Sequence, residues 1–328
     1  MLKLVIDVYG ADAGIQPVVL GVAKALKKNI PFFPVMVGDE PSITALMDAG
    51  GIDRSRYEIV HTDRFITNDD PPTCVFGGKD DTSLVMAYNR LKNDEQCVAL
   101  LSAGNTGALL VGSICRLGLL PGLKSPALCS ALPCAGDNLL ILVDCGACVD
   151  CTAGDLVRFA KMGDAFSRCY CQLENPRVGL MSVGREPQKG NALTREAFEK
   201  IAKLPINFIG NVEGSDMVSG YADVIVSDGF AGNILLKNTE AVGKAAAAIV
   251  EKIGGTIDAE LTAKIKEALF DAFDFNARGA ATFLGPKKTV VKMHGCANED
   301  TTVASIEQII RLESANFSQA LREAMTEE

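Results

Sequence analysis

The sequence predicts a layered α/β/α fold on a largely parallel sheet, and three observations carry that expectation. Apolar runs at residues 2–6, 98–101 and 138–143 have almost no polar interruption, the pattern of strands covered on both faces. Such runs alternate with stretches whose apolar residues recur at helical spacing, so helices carry the chain from one strand to the next. Polar residues gather where the strands end, at Asp7, Ser102, Asp144 and Asp228, and open α/β sheets bind ligands beyond those carboxyl ends.

From the N-terminus, residues 2–6 form a buried strand ending at Asp7, and the loop 9–14 brings Asp12 close behind it. Both aspartates are candidates for a ligand site, or else turn formers and caps. Pro17 opens a helix to Leu26, residues 33–38 form a second strand, and 42–49 form a short helix entered at Pro41. Residues 57–61 form a third strand, whose terminal His61 reads as a strand-end polar group rather than a catalyst. A turn-rich acidic loop at 68–72 and a polar patch at 77–83 precede the amphipathic helix 83–92, which Asp81 or Thr82 would cap. The strand from Val98 follows, then a helix to about Gly118.

Beyond a connection at 121–126 come strands at 127–132 and 138–144, the latter the most hydrophobic and therefore expected in a central position. A helix at 153–162, a strand at 177–183, a basic glycine-containing loop at 184–191 and a helix from Thr194 continue the alternation, with strands at 206–211 and 222–228 after them. A helical stretch at about 236–275, broken near Gly254-Gly255, has apolar faces suited to the protein body, a second subunit or a membrane surface. Residues 279–286 are expected to be irregular, 289–293 a late strand, and about 302–322 a final amphipathic helix. No repeat of 20–50 residues and no low-complexity linker divides the chain, so one domain spanning residues 1–328 is expected.

Composition bounds the function. At 328 residues, 48% hydrophobic and 22% charged, the chain can bury a large core. Its net charge of −9 and the lack of a dense Lys/Arg block argue against a nucleic-acid partner. No uninterrupted apolar run is long enough to span a bilayer, and a soluble, cytoplasmic protein is expected. The 11 cysteines are an odd number in apolar surroundings, and most read as small buried side chains of a reducing compartment. The spacing of Cys145, Cys148 and Cys151 suits a cluster, yet Cys145 ends an apolar strand and only two histidines exist, so no metal is expected. Dinucleotide-binding, P-loop, zinc-protease and nucleophile-elbow motifs are all missing.

Turn chemistry remains. In Ser102-Ala103-Gly104-Asn105-Thr106-Gly107 a strand meets small polar residues and then an uncharged apolar run, which reads as a strand, a tight turn and a helix start. Free N–H groups and the positive end of the helix dipole suit an anion there, phosphate above all. Ser102, Asn105 and Thr106 add donors, and Gly104 admits a ligand close to the backbone; a capped βα turn accounts for the same residues. The turn Asp228-Gly229-Phe230-Ala231-Gly232-Asn233 repeats the pattern, which suggests that both line one crevice, and Lys189-Gly190-Asn191 adds a cation beside a glycine. This set suits a phosphate and an oxyanion better than a hydride carrier.

Six ordered stretches carry a resemblance. They are Ser102-Ala103-Gly104-Asn105-Thr106-Gly107-Ala108; Leu142-Val143-Asp144-Cys145-Gly146-Ala147 with Asp150-Cys151; Lys189-Gly190-Asn191; Asn207-Phe208-Ile209-Gly210-Asn211-Val212-Glu213-Gly214; Ser227-Asp228-Gly229-Phe230-Ala231-Gly232-Asn233; and His294-Gly295. Spread over essentially the whole chain, they resemble the bacterial phosphate acyltransferases of phospholipid synthesis (the PlsX family). The resemblance implies transfer of a fatty acyl group from acyl-acyl carrier protein to orthophosphate, giving acyl-phosphate. It implies a three-layer sandwich of the isocitrate dehydrogenase and phosphotransacetylase type, a homodimer, and a cytosolic protein with peripheral membrane association. It implies no metal and no organic cofactor.

With that reaction in view, Lys189 is the expected cation on phosphate or oxyanion, with Asn191 beside it. Asn105, Thr106 and Asn233, each at a helix start, are the neutral donors, and Asp228 and Asp144 orient them. His294 is expected to hydrogen-bond rather than transfer a proton. Ser102, Gly104, Asn211, Gly232, Asp7 and Asp12 complete the expected substrate-binding set.

The chain departs from the family pattern at four places. Tyr9-Gly10-Ala11-Asp12 stands for Met-Gly-Gly-Asp, Cys148 for an Asn, and His294-Gly295-Cys296-Ala297 for His-Gly-Ser-Ser/Asn. Residues 279–285 stand for Gly-Ala-Pro-Leu-Leu-Gly, where acyl-chain preference could differ. These changes keep two alternatives open: a related acetyl-phosphate-forming enzyme like the component of glycine reductase, and a non-catalytic homologue that binds carrier protein. A dehydrogenase of the related fold is disfavoured, since no Arg-rich carboxylate clamp or paired acidic metal site is evident.

Overall fold

The computed structural model describes residues 1–135, 138–254, 258–273 and 279–326. The chain groups into two compact units, Met1–Pro126 with Gly279–Glu328, and Ala127–Arg278. The first opens with β1 (Leu2–Asp7), α1 (Gln16–Lys27), β2 (Phe32–Gly38), α2 (Glu40–Ala49), β3 (Glu58–His61), α3 (Ser83–Asn93), β4 (Cys97–Ser102) and α4 (Thr106–Gly112). The second follows with β5 (Ala127–Cys134), β6 (Asn138–Val143), α5 (Ala153–Tyr170), β7 (Val178–Met181), α6 (Ala192–Ile201), β8 (Phe208–Val212), β9 (Val224–Val226), α7 (Gly229–Gly254) and α8 (Ala259–Phe273). The chain then returns to the first unit with β10 (Ala281–Leu284), β11 (Thr289–Lys292), α9 (Glu299–Ser314) and α10 (Phe317–Thr326).

In the first unit the strands lie in the order β3-β2-β1-β4-β11-β10, all parallel except β10, which runs antiparallel to β11. Parallel strands need cover on both faces. Leu4, Ile6 and Val8 share one core with Val18, Val22, Ile306 and Ile309 of α1 and α9. Val5 alternates to the other face, where α3 packs on β1 and β4 through Leu84, Tyr88 and Leu91, all at most 2% exposed. In the second unit the order is β5-β6-β9-β7-β8, parallel from β6 onward, with β5 antiparallel to β6. There α5 lies on β6, β9 and β7 beside α6, while α7 pairs with α8. A layered α/β/α arrangement on a mostly parallel sheet is thus present, and β6 has neighbours on both sides.

Two expectations are corrected. Residues 279–286 are not irregular: Ala281, Thr282 and Phe283 pair with Lys292, Val291 and Val290, because β11 offers an open edge that four residues between glycines can fill. The final helix is two, α9 and α10, divided at Asn316, whose φ of 53° is left-handed. Capping of α3 also differs. Thr82 is its N-cap residue without a side-chain bond to the helix, and its hydroxyl donates to the Lys79 carbonyl at 2.7 Å. His61 accepts from the Glu40 N–H at the start of α2 through Nδ1, at 3.0 Å, a structural role as expected. The break expected near Gly254-Gly255 falls at the edge of the described residues. No helix among the described residues is long and apolar enough to cross a membrane.

Candidate functional site

In each unit the parallel strands deliver their carboxyl ends to one edge of the sheet, and the expected site residues sit there. In the first unit Asp7 ends β1 opposite Ser102 at the end of β4. Ser102 Oγ donates to Asp7 Oδ2 at 2.8 Å and accepts the Gly104 N–H at 2.9 Å, so carboxylate and hydroxyl brace the turn in series. Asp7 is 2% exposed, and burial pushes its carboxyl up to about 6 against hydrogen bonds that pull it down. Gly10, at φ 99°, passes so close that a Cβ there would lie 2.3 Å from the Gly104 Cα. The glycine after β1 therefore fits against the glycine after β4.

Asn105 is the N-cap of α4: its Oδ1 accepts the Ala108 N–H at 3.0 Å, and its Nδ2 donates to the Asn68 carbonyl at 3.3 Å. Thr106 beside it is exposed. At the end of β11, Asp12 N–H donates to the Gly295 carbonyl at 2.7 Å, which joins the loop after β1 to the His294-Gly295 turn. His294 Nδ1 lies 3.3 Å from the Cys296 N–H and 3.0 Å from its Sγ. An N–H only donates, so Nδ1 is an acceptor and the ring proton rests on Nε2. A residue not anticipated from sequence stands here: Lys292, in register with Ser102, donates to the Ala103 carbonyl at 3.2 Å and also to that of Met293. Its one signal was a lysine in the last place of an apolar strand.

In the second unit Asp144, which follows β6 and is fully buried, is wrapped in backbone donors. Oδ1 accepts from the N–H groups of Leu128 (2.8 Å), Gly146 (3.0 Å) and Ala147 (3.0 Å), and Oδ2 from those of Ala147 (3.1 Å) and Cys148 (2.6 Å). Burial nevertheless raises its carboxyl above the ordinary value. The loop it gathers meets the start of α7: Gly229 N–H donates to the Cys148 carbonyl at 2.8 Å, and a Cβ on Gly232 would lie 1.9 Å from the Asp144 carbonyl oxygen. Asp228 caps that helix by accepting the Ala231 N–H at 2.8 Å. The amide nitrogen of exposed Asn233 lies 2.8 Å from where a Cβ on Gly146 would be. Asp144, Asp228, Gly232 and Asn233 are thus brought together.

The 184–191 loop follows β7, which is separated from β6 only by β9. Lys189 is exposed, with no hydrogen bond or ion pair to its ammonium among the described residues. Asn191 caps α6 through Oδ1, accepting the Thr194 N–H at 2.9 Å. An asparagine that caps this way still has its NH2 to give, whereas a capping aspartate has nothing to donate. Asn211, expected as a substrate ligand, is 3% exposed and gives one of its two amide hydrogens to the Glu186 carbonyl at 2.8 Å, in the loop that carries Lys189.

Among the described residues no three His, Cys, Asp or Glu side chains are grouped so that they could hold an ion. Cys145 Sγ donates to the Leu128 carbonyl at 3.1 Å and Cys151 Sγ to that of Cys148 at 3.0 Å. Burial pushes the Cys145 thiol up to about 12 and raises those of Cys148 and Cys151, so these three stay protonated.

A family model described as fatty acid synthesis protein matches residues 2–320. The chain is 37% identical to a phosphate acyltransferase of Clostridioides difficile (strain 630) over 319 residues, 94% of this chain and 92% of the relative. It is 36% identical to a phosphate acyltransferase of Oceanobacillus iheyensis over 315 residues, with the same 94% and 92% covered. Among solved structures it is similar to a phosphotransacetylase from Streptococcus pyogenes, with a TM-score of 0.62 and 16% identity over 97% of this chain and 94% of that one. A branched-chain phosphotransacylase from Enterococcus faecalis V583 gives a TM-score of 0.56 at 15% identity, over 95% and 99%. At those identities the solved structures bear on the fold alone.

Proposed function

The chain belongs to the fatty acid synthesis protein family of phosphate acyltransferases, an acyltransferase enzyme of lipid biosynthesis, and we propose that it moves a fatty acyl group from acyl-acyl carrier protein to orthophosphate. The product is acyl-phosphate. A phosphate oxygen attacks the thioester carbonyl carbon, the carbonyl electrons move onto oxygen, and collapse of that intermediate breaks the C–S bond. The carrier thiolate leaves and takes up a proton. Phosphate is itself the nucleophile, so the protein's work is to hold it against the thioester and to stabilise the oxyanion.

One observation supports this most: Lys189 carries its charge exposed at the carboxyl edge of parallel strands, where phosphate can take it. Asn191 lends its free NH2 beside it, and Asn233 donates from the start of α7. Asp144 and Asp228 fix the backbone that presents Asn233. In the first unit Thr106 and the turn braced by Asp7, Ser102 and Gly104 supply neutral donors, Asn105 caps that turn, and Asp12 with His294 orders the neighbouring loop. The whole chain acts as one catalytic domain. Exposed apolar side chains on α7 and α8, among them Ile234, Val242, Ile249 and Leu261, favour a homodimer with peripheral membrane contact.

Burial raises the thiols of Cys145, Cys148 and Cys151, which speaks against those three as nucleophiles. Purified protein with phosphate and acyl-carrier proteins of several chain lengths is expected to yield a hydroxamate when hydroxylamine traps the product. No hydroxamate with any acyl donor overturns the reading.

A further inference from the structure

The Glu186 carbonyl accepts two hydrogen bonds, one from the Lys189 N–H at 2.9 Å and one from Asn211 Nδ2 at 2.8 Å. A carbonyl only accepts, so the Asn211 atom facing it is fixed as nitrogen, and the other end of the amide is Oδ1. That Oδ1 is buried without a partner. A core side chain of similar size and no polarity would fill the place without leaving an acceptor unpaired, so what the position gains from an amide lies at its nitrogen. The neighbouring residue is anchored as well. Arg185 Nη2 donates to buried Asp216 at 2.7 Å, and its guanidinium lies 4.5 Å from the centre of the Tyr221 ring. The loop is therefore pinned at Arg185 and Glu186, and the turn that carries Lys189 springs from that pin.

We propose that Asn211 is a positioning residue: through the Glu186 carbonyl it sets where the Lys189 ammonium meets phosphate, and it does not itself touch phosphate. This role rests on the assignment of Lys189 to phosphate.

Asn211→Asp keeps the shape but sets an oxygen against the Glu186 carbonyl, while Asn211→Ala removes the bond without repulsion; reading both covers the case in which one fails to fold. Affinity of the full chain for inorganic phosphate, measured by calorimetry, is expected to fall about tenfold or more. Amide hydrogen exchange is expected to quicken across residues 184–191, and Tm to stay within about 5 °C of the parent. Phosphate affinity within about twofold of the parent overturns the proposal. So does a loss of affinity with loop exchange unchanged, which would make Asn211 a direct ligand. A parent protein that binds phosphate yet forms no acyl-phosphate sinks the proposed reaction and leaves the positioning role standing.

Discussion

Two buried aspartates close parallel strands, one in each unit, and they are held in opposite ways. Asp144 is surrounded by the backbone N–H groups of Leu128, Gly146, Ala147 and Cys148. Asp7 takes the Ser102 hydroxyl at 2.8 Å and a long N–H contact from Tyr9 at 3.4 Å, and the Ser83 hydroxyl beside it also holds its carboxyl down. The first arrangement spends a carboxylate on fixing a loop. The second leaves a carboxyl that burial pushes up to about 6 and that braces a turn through Ser102. The same residue type at the same place in the fold is a scaffold in one unit and a titratable brace in the other.

The comparison is sharpest at the cation. Lys189→Ala is expected to lower acyl-phosphate formation roughly 10³-fold, about 4 kcal/mol, with unfolding by urea unchanged, because the exposed ammonium supports nothing in the fold. Near-normal turnover would move the charge on phosphate away from the second unit. Asp144→Asn turns one acceptor oxygen into a donor facing N–H groups and is expected to cost about 3–4 kcal/mol in urea unfolding. A cost under about 1 kcal/mol would break the contrast with Asp7.

For Asp7 the expectation concerns pH. Its folded value of about 6 lies above the ordinary 3.8, so the native state holds the proton more tightly. Its contribution favours the fold below about pH 4 and is lost as pH rises through 6, a difference of about 3 kcal/mol. The urea midpoint of the parent should fall across that range relative to that of Asp7→Asn; parallel curves would remove Asp7 as the titrating group. The smallest effect is at α4, where Asn105→Ala should cost about 1 kcal/mol through the lost cap.

The strands were legible because near-continuous apolar runs have few other uses in a chain of this composition. The β10 strand was not, since four residues between glycines carry no period, and its pairing depends on a distant edge. At the site, residue type and strand-end position located Asp7, Ser102, Asp144 and Asp228 but left their duties open. Asn105, Asn191 and Asp228 are all N-caps, and the side chains that cap a helix are the ones that bind an anion there. Asn211 shows the limit most plainly: an amide at the end of β8 reads alike whether it faces a ligand or, as it does, a loop carbonyl. At Cys148 the N–H and carbonyl do the joining, so the identity of its side chain leaves the Asp144 loop intact.

The discontinuity of the first unit has its own consequence during synthesis. β4 pairs with β11, and α1 packs on α9, but β11 and α9 are translated only after the whole of the second unit. On the ribosome the second unit is complete at residue 278, while β4 still has an unpaired edge and α1 an uncovered face. Chains stalled at that point should resist protease within the described strands and helices of the second unit and be cut before 127. The older half of the protein waits for the youngest.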